Sequence, residues 1–153
     1  TEIYLFPYTT LFRSLLDANL LIALFDAAHV QHQASHRWFS QNRSQGWATC
    51  PLTQNACIRI LSQPAYPGRL PVADLARRLR QATAAADHQF WPDAIGPCDA
   101  SLFDHSRIPT RKHLAGVYLL ALAVRAGGRL VTWDRSIPTA AVRGALPEHL
   151  LIL

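Results

Sequence analysis

From Leu15 onward the chain alternates short apolar runs with stretches in which apolar residues recur every three or four positions. The first kind of pattern predicts buried strands and the second amphipathic helices. Residues 15–17 predict a first strand, and residues 18–25 a short apolar helix running up to Asp26. Residues 29–41 predict a helix with Val30, Ala34, Trp38 and Phe39 inward and His32, Gln33 and His36 outward. Residues 46–50 predict a second strand, and Pro51 suits the first position of a helix that ends at Leu61. A turn-rich break at 63–68 precedes an amphipathic helix over 71–85. There Val72, Leu75, Ala76, Leu79 and Ala82 share one face, and Arg77, Arg78 and Arg80 the other. Residues 88–91 predict a third strand, followed by an irregular stretch through Pro92, Pro97 and Pro109. Residues 110–126 predict a long helix that is apolar nearly all round from Val117 to Val124, hence buried, and closed by Gly127-Gly128. Strands over 129–133 and 150–153 end the pattern, with a weak helix near 138–142 between them.

Strands and helices in alternation with short connections predict an α/β fold, a central, mainly parallel sheet covered on both faces in three layers. All strands of such a sheet share one carboxyl edge, and residues far apart in sequence meet there. Two apolar runs end in an aspartate: Leu15-Leu16-Asp17-Ala18-Asn19, and Leu130-Val131-Thr132-Trp133-Asp134. Carboxylates converging at one edge suit a hard divalent cation such as Mg²⁺. Taken singly, each aspartate is equally well read as a helix cap after a strand.

With 153 residues, half of them hydrophobic, the chain suffices for one domain with a real core. Residues 15–153 are expected to form it. Residues 1–14 lie outside the alternation and, in a chain without methionine, are expected to be a leader that is not part of the fold. The net charge of +5 favours a polyanion such as RNA, although fourteen of the fifteen cations are arginine, a bias that a GC-rich genome also produces. Cys50, Cys57 and Cys98 are odd in number and lack CxxC spacing, so neither a disulfide framework nor a zinc site is favoured, and a reducing cytoplasm is expected. Asp17, Asp26 and His29 interrupt the richest apolar region, so no membrane span is expected. His29, His32 and His36 are helically spaced but have no acid or thiol beside them, and read as a solvent-facing stripe.

Five segments in this order resemble the PIN domain and, within it, the VapC-type toxins of bacterial toxin–antitoxin pairs. They are residues 15–24 (LLDANLLIAL), residues 47–55 with 59–62 (WATCPLTQN and RILS), residues 90–93 (FWPD), residues 118–123 (YLLALA) and residues 129–134 (RLVTWD). The resemblance spans nearly everything after the leader. It implies a three-layer α/β/α PIN-like domain and a Mg²⁺- or Mn²⁺-dependent endoribonuclease whose acids hold metal that activates water against an RNA phosphodiester. It also implies a cognate antitoxin protein as partner, its tail running along Trp38, Phe39 and the 71–85 helix, and a homodimer as a further assembly. Asp17 matches the family's first acid and Asp134 its last, the two metal ligands. Asn19 and Thr132 match polar residues that support them.

Two positions depart from the pattern. The family's second acid is commonly glutamate in a Thr-Glu-Asn context, and this chain has Thr53-Gln54-Asn55. Its third is an aspartate where this chain has Gly116. Gln54 keeps a carbonyl that can orient water but brings no charge and cannot act as a base. Gly116 offers nothing. Losing a metal-orienting group typically costs about 10–100-fold in affinity or activity, and a direct ligand more. The sequence thus supports an impaired endoribonuclease toxin and, from another class, a degenerate PIN-fold module that binds an antitoxin without catalysis. A hydrolase of small phosphate esters fits less well, because no phosphate-cradling glycine loop is present. Arg111, Lys112 and Arg135 fall near the acidic edge as candidate phosphate contacts.

Overall fold

The computed structural model describes residues 12–153. Its centre is a sheet of five parallel strands, β1 (Ser14–Leu16), β2 (Trp47–Thr49), β3 (His88–Phe90), β4 (Arg129–Thr132) and β5 (Leu150–Ile152). Their spatial order is β3-β2-β1-β4-β5, so the first strand lies in the middle. Among the described residues five α-helices complete the layers: α1 (Ala18–Phe25), α2 (His32–Asn42), α3 (Pro51–Leu61), α4 (Val72–Thr83) and α5 (Leu114–Arg125). Among the described residues no helix is long and apolar enough to cross a membrane.

Alternation along the strands assigns the two faces. Leu15, pairing in register with Ala48 and Leu130, points to the side on which the residues from Val117 to Ala123 of α5 are buried. Leu16, Trp47 and Val131 point to the other side, against Leu20, Leu21 and Ile22 of α1, Cys57 and Leu61 of α3 and Leu75 of α4. A sheet buried on both faces explains why β1 and β4 read as continuous apolar runs. Cys50 and Cys57 are small buried hydrophobes, and burial pushes the Cys57 thiol up to about 12.

The element order matches the sequence pattern, and the differences have local causes. β1 begins at Ser14, whose N–H donates to the Gly46 carbonyl at 3.2 Å and whose hydroxyl accepts from Arg129 Nε at 3.0 Å. Ser14 therefore belongs to the sheet rather than to a leader, while residues 1–11 of that leader lie outside the described residues. Gly128 passes so close to the chain here that a Cβ would lie 2.5 Å from the Arg13 carbonyl oxygen, which only glycine avoids.

Helix α2 starts at His32, later than expected. Asp26 Oδ1 accepts from Ala28 N and His29 Nδ1 from Gln31 N, holding 26–31 in turns and shifting the helical phase. The inward face is Ser35, Trp38 and Phe39, and Val30 is 93% exposed. The histidine stripe is not simply solvent-facing either. His32 Nδ1 meets the Ala23 carbonyl at 2.7 Å and His36 Nε2 the Leu24 carbonyl at 3.0 Å, satisfying orphan groups at the end of α1. Val72, expected inside, is exposed in the first turn of α4, which packs inward from Leu75 onward. The weak helix near 138–142 is a single 3₁₀ turn, Thr139–Ala141.

Candidate active site

The carboxyl edge of the sheet gathers four of the six candidate residues. Asp17 continues the β1–β4 ladder by one bond, its N–H donating to the Val131 carbonyl at 3.0 Å, and then caps α1 as its Oδ1 accepts from Ala18 N at 2.7 Å. Its other oxygen accepts from the Thr132 hydroxyl at 2.8 Å. That hydroxyl is also an acceptor, from Asn19 Nδ2 at 3.0 Å and from the Asp134 backbone N–H at 2.9 Å. Asn19 Oδ1 in turn accepts from Trp133 N at 3.1 Å. Thr132, fully buried, is thus the hub: one proton given to Asp17, two received, and the backbone that carries Asp134 clamped beside Asp17.

Asp134 is shaped by its own loop. Oδ1 accepts from the Ser136 N–H at 2.8 Å and the Ser136 hydroxyl at 2.6 Å, an Asx turn that aims the carboxyl group. The electrostatics of the pair are unusual for structural acids. Burial, first, and the negative charge of Asp134, last, hold the Asp17 carboxyl above its ordinary range, while hydrogen bonds from Thr132 and Ala18 pull the other way. Among the described residues no Lys or Arg forms an ion pair with either acid. A partly desolvated carboxylate facing a second one without a cation is unfavourable when both are ionised.

Gln54 and Gly116 reach this edge differently. Gln54 Nε2 donates to Thr49 Oγ1 at 2.9 Å, and Thr49 Oγ1 lies 2.8 Å from His88 Nε2. Thr49 has one proton, so when it donates to His88 Nε2 the ring is neutral, consistent with burial holding the His88 pKa down. Gln54 is thereby tied to the last residue of β2 rather than to Asp17 or Asp134. Gly116, in the first turn of α5, faces Ile137, and a Cβ there would lie 3.0 Å from Ile137 Cγ1. The buried Ile137 side chain crowds the place a third acid would take.

Thr49 and Ile137 belong to this edge and escaped the sequence reading, as did His88, which starts β3 and reaches Thr49 only with its ring. Ser136 escaped it as well, although Asp134-Arg135-Ser136 carries a readable Asx-turn signal. The donor set is hard oxygen throughout: the Asp17 and Asp134 carboxylates with the Asn19 and Gln54 amides nearby in the fold. No cluster of three or more His, Cys, Asp or Glu side chains occurs among the described residues. The set fits an oxygen-loving divalent cation, short of one ligand, and does not fit zinc.

No family model matches the chain. Individual proteins do. The chain is 43% identical over 141 residues to Ribonuclease VapC44 of Mycobacterium tuberculosis, covering 92% of this chain and 99% of that protein. It is 39% identical over 136 residues to Ribonuclease VapC39 of the same organism, covering 86% of this chain and 95% of that protein. Ribonuclease VapC38 is 37% identical over 142 residues, covering 92% and 99%. With its parallel sheet, its strand-end aspartates held by one threonine, and relatives this similar over most of its length, the chain belongs to the VapC family of PIN-domain ribonucleases.

Proposed function

We propose that this chain is a Mg²⁺- or Mn²⁺-dependent endoribonuclease, the toxin of a toxin–antitoxin pair in the cytoplasm, slowed by Gln54 and Gly116. The observation that carries the metal is the half-buried Asp17 carboxyl beside Asp134 with no cationic side chain among the described residues paired to either. Asp17 and Asp134 are the direct ligands. Bound there, a divalent cation supplies Lewis acidity toward a phosphodiester and lowers the pKa of water.

The chain's own residues do the rest. Thr132 and Asn19 fix the rotamer of Asp17, so that the acid is placed before substrate arrives. Arg111, Lys112 and Arg135, all exposed, take backbone phosphates and set the register of the RNA. With its amide nitrogen held by Thr49, Gln54 has its carbonyl oxygen left to orient water, and it cannot take the proton. The antitoxin partner shields this edge and the α2–α4 face that carries Phe39.

A Mg²⁺ titration with and without RNA tests the reading. Mg²⁺ should bind wild type weakly and support slow RNA cleavage, and Asp17→Ala should lose both. Cleavage that survives Asp17→Ala, or Mg²⁺ binding indifferent to it, would overturn the assignment.

A further inference from the structure

A cleft of about 550 Å³ runs between the end of β3 and the start of α5. Its walls are Leu52, Ile95, Leu114 and Tyr118, and its two charged groups are Asp93 and Arg111. Leu52 lies two residues before Gln54, and Leu114 and Ala115 directly precede Gly116, so the cleft opens on the carboxyl edge that bears Asp17 and Asp134. Tyr118 donates its hydroxyl to the Ile95 carbonyl at 3.0 Å, which pins the ring as a flat wall and spends its only polar group. Asp93 and Arg111 are exposed, and neither forms an ion pair with a described residue.

We propose that this cleft is a guanine subsite, in which Asp93 reads the base of a nucleotide next to the scissile phosphate and Arg111 holds that nucleotide's phosphate. The volume lies within the roughly 300–1,000 Å³ of small-ligand sites. Apolar and aromatic walls suit an unstacked base, and single-stranded RNA is read through just such splayed bases. A carboxylate offers two adjacent acceptors and no donor. Guanine alone presents two adjacent donors, N1–H and N2–H₂, on its Watson–Crick edge. Adenine, cytosine and uracil mix donors with acceptors there, so each would leave one carboxylate oxygen facing a lone pair. Arg111, at the rim with Lys112 next to it, contributes affinity that does not depend on the base.

The proposal rests on the endoribonuclease reading, and its test is chosen to stand without cleavage. Guanosine, adenosine, cytidine and uridine 5′-monophosphates are titrated against wild type, Asp93→Asn and Arg111→Gln in metal-free buffer, followed by amide chemical shifts. GMP should bind wild type most tightly, with shifts at Ile95 and Tyr118. Asp93→Asn should lower the GMP preference roughly ten- to hundredfold, and Arg111→Gln should weaken all four nucleotides alike. Equal binding of all four, no binding at all, or an undiminished preference in Asp93→Asn overturns the subsite. So does self-association of the wild type that Leu114→Ser abolishes, which would assign the cleft to a second copy of the chain. Selective GMP binding by a chain that cleaves no RNA would instead overturn the nuclease reading and leave the subsite intact.

Discussion

At the amino ends of the strands Asp87 accepts from Arg43 through both its oxygens, at 2.7 and 3.1 Å, and from the Trp47 indole N–H at 2.8 Å. Arg43 above all, with Trp47 assisting, holds the Asp87 carboxyl below its ordinary range. At the carboxyl ends Asp17 accepts from Ala18 N and the Thr132 hydroxyl, one on each oxygen, yet burial and Asp134 hold it above that range, with no cationic partner among the described residues. One acid comes with its counter-charge and locks two strands. The other comes with a second acid, and the proposed divalent cation would supply the charge it lacks. A carboxylate that is hydrogen-bonded yet left without positive charge marks the candidate functional edge of this sheet more clearly than the residue type does.

The contrast is sharpened most by restoring the missing acids. Gln54→Glu with Gly116→Asp should raise Mg²⁺-dependent RNA cleavage by roughly 10–100-fold or more. The structure adds a condition: Ile137→Ala should accompany Gly116→Asp, because the new Cβ would lie 3.0 Å from Ile137 Cγ1, an atom that only truncation beyond Cβ removes. That truncation of a buried side chain costs about 2–5 kcal/mol of stability, less what the new side chain refills. Asp17→Ala in the restored background should return cleavage to baseline, and cleavage that persists would mean that the metal is not held at Asp17.

Asp87→Ala addresses the other end. It leaves the indole N–H of Trp47, which is 3% exposed, without its acceptor and should cost about 1–3 kcal/mol in a denaturant melt. The pH slopes of the two ends are opposite. Asp87, with its folded pKa depressed, contributes stability that is present above the ordinary value of 3.8 and lost as pH falls through the folded value. Asp17, with its folded pKa raised, contributes stability that is full below 3.8 and lost as pH rises through the folded value. Metal-free Asp17→Asn should therefore be at least as stable as wild type at pH 7. Mg²⁺ at ten times Kd should stabilise wild type by about 1.4 kcal/mol and leave Asp17→Asn unmoved. Equal stabilisation of both by Mg²⁺ would erase the difference between the two ends. The smallest effect belongs to neither end: Val30→Ser, at a position 93% exposed, should shift the melt by no more than about 0.5 kcal/mol.

The order of strands and helices and the meeting of Asp17 with Asp134 were legible because they depend on periodicity and on a rule of parallel sheets. Residues 118–123 read as buried on composition alone and are buried. Val30 and Val72 were misplaced because apolarity says nothing about where a helix begins, and the Asp26 and His29 turns decide that for α2. The histidine stripe was misread for a related reason: carbonyls at the end of α1, nine to twelve residues away, are partners that no local pattern displays.

By itself, then, the sequence determined which segments are strands, which acids stand at their ends, and that positions 54 and 116 lack a carboxylate. Those properties reside in local side-chain chemistry and in the chain's period. Tertiary structure alone decided that Thr132 joins Asp17, Asn19 and Asp134, that Gln54 is drawn to Thr49, and that Ile137 crowds the face of Gly116. A hydroxyl's partner and the room in front of a glycine depend on packing between residues distant in the chain, and they exist only once the sheet and its helices have closed around them.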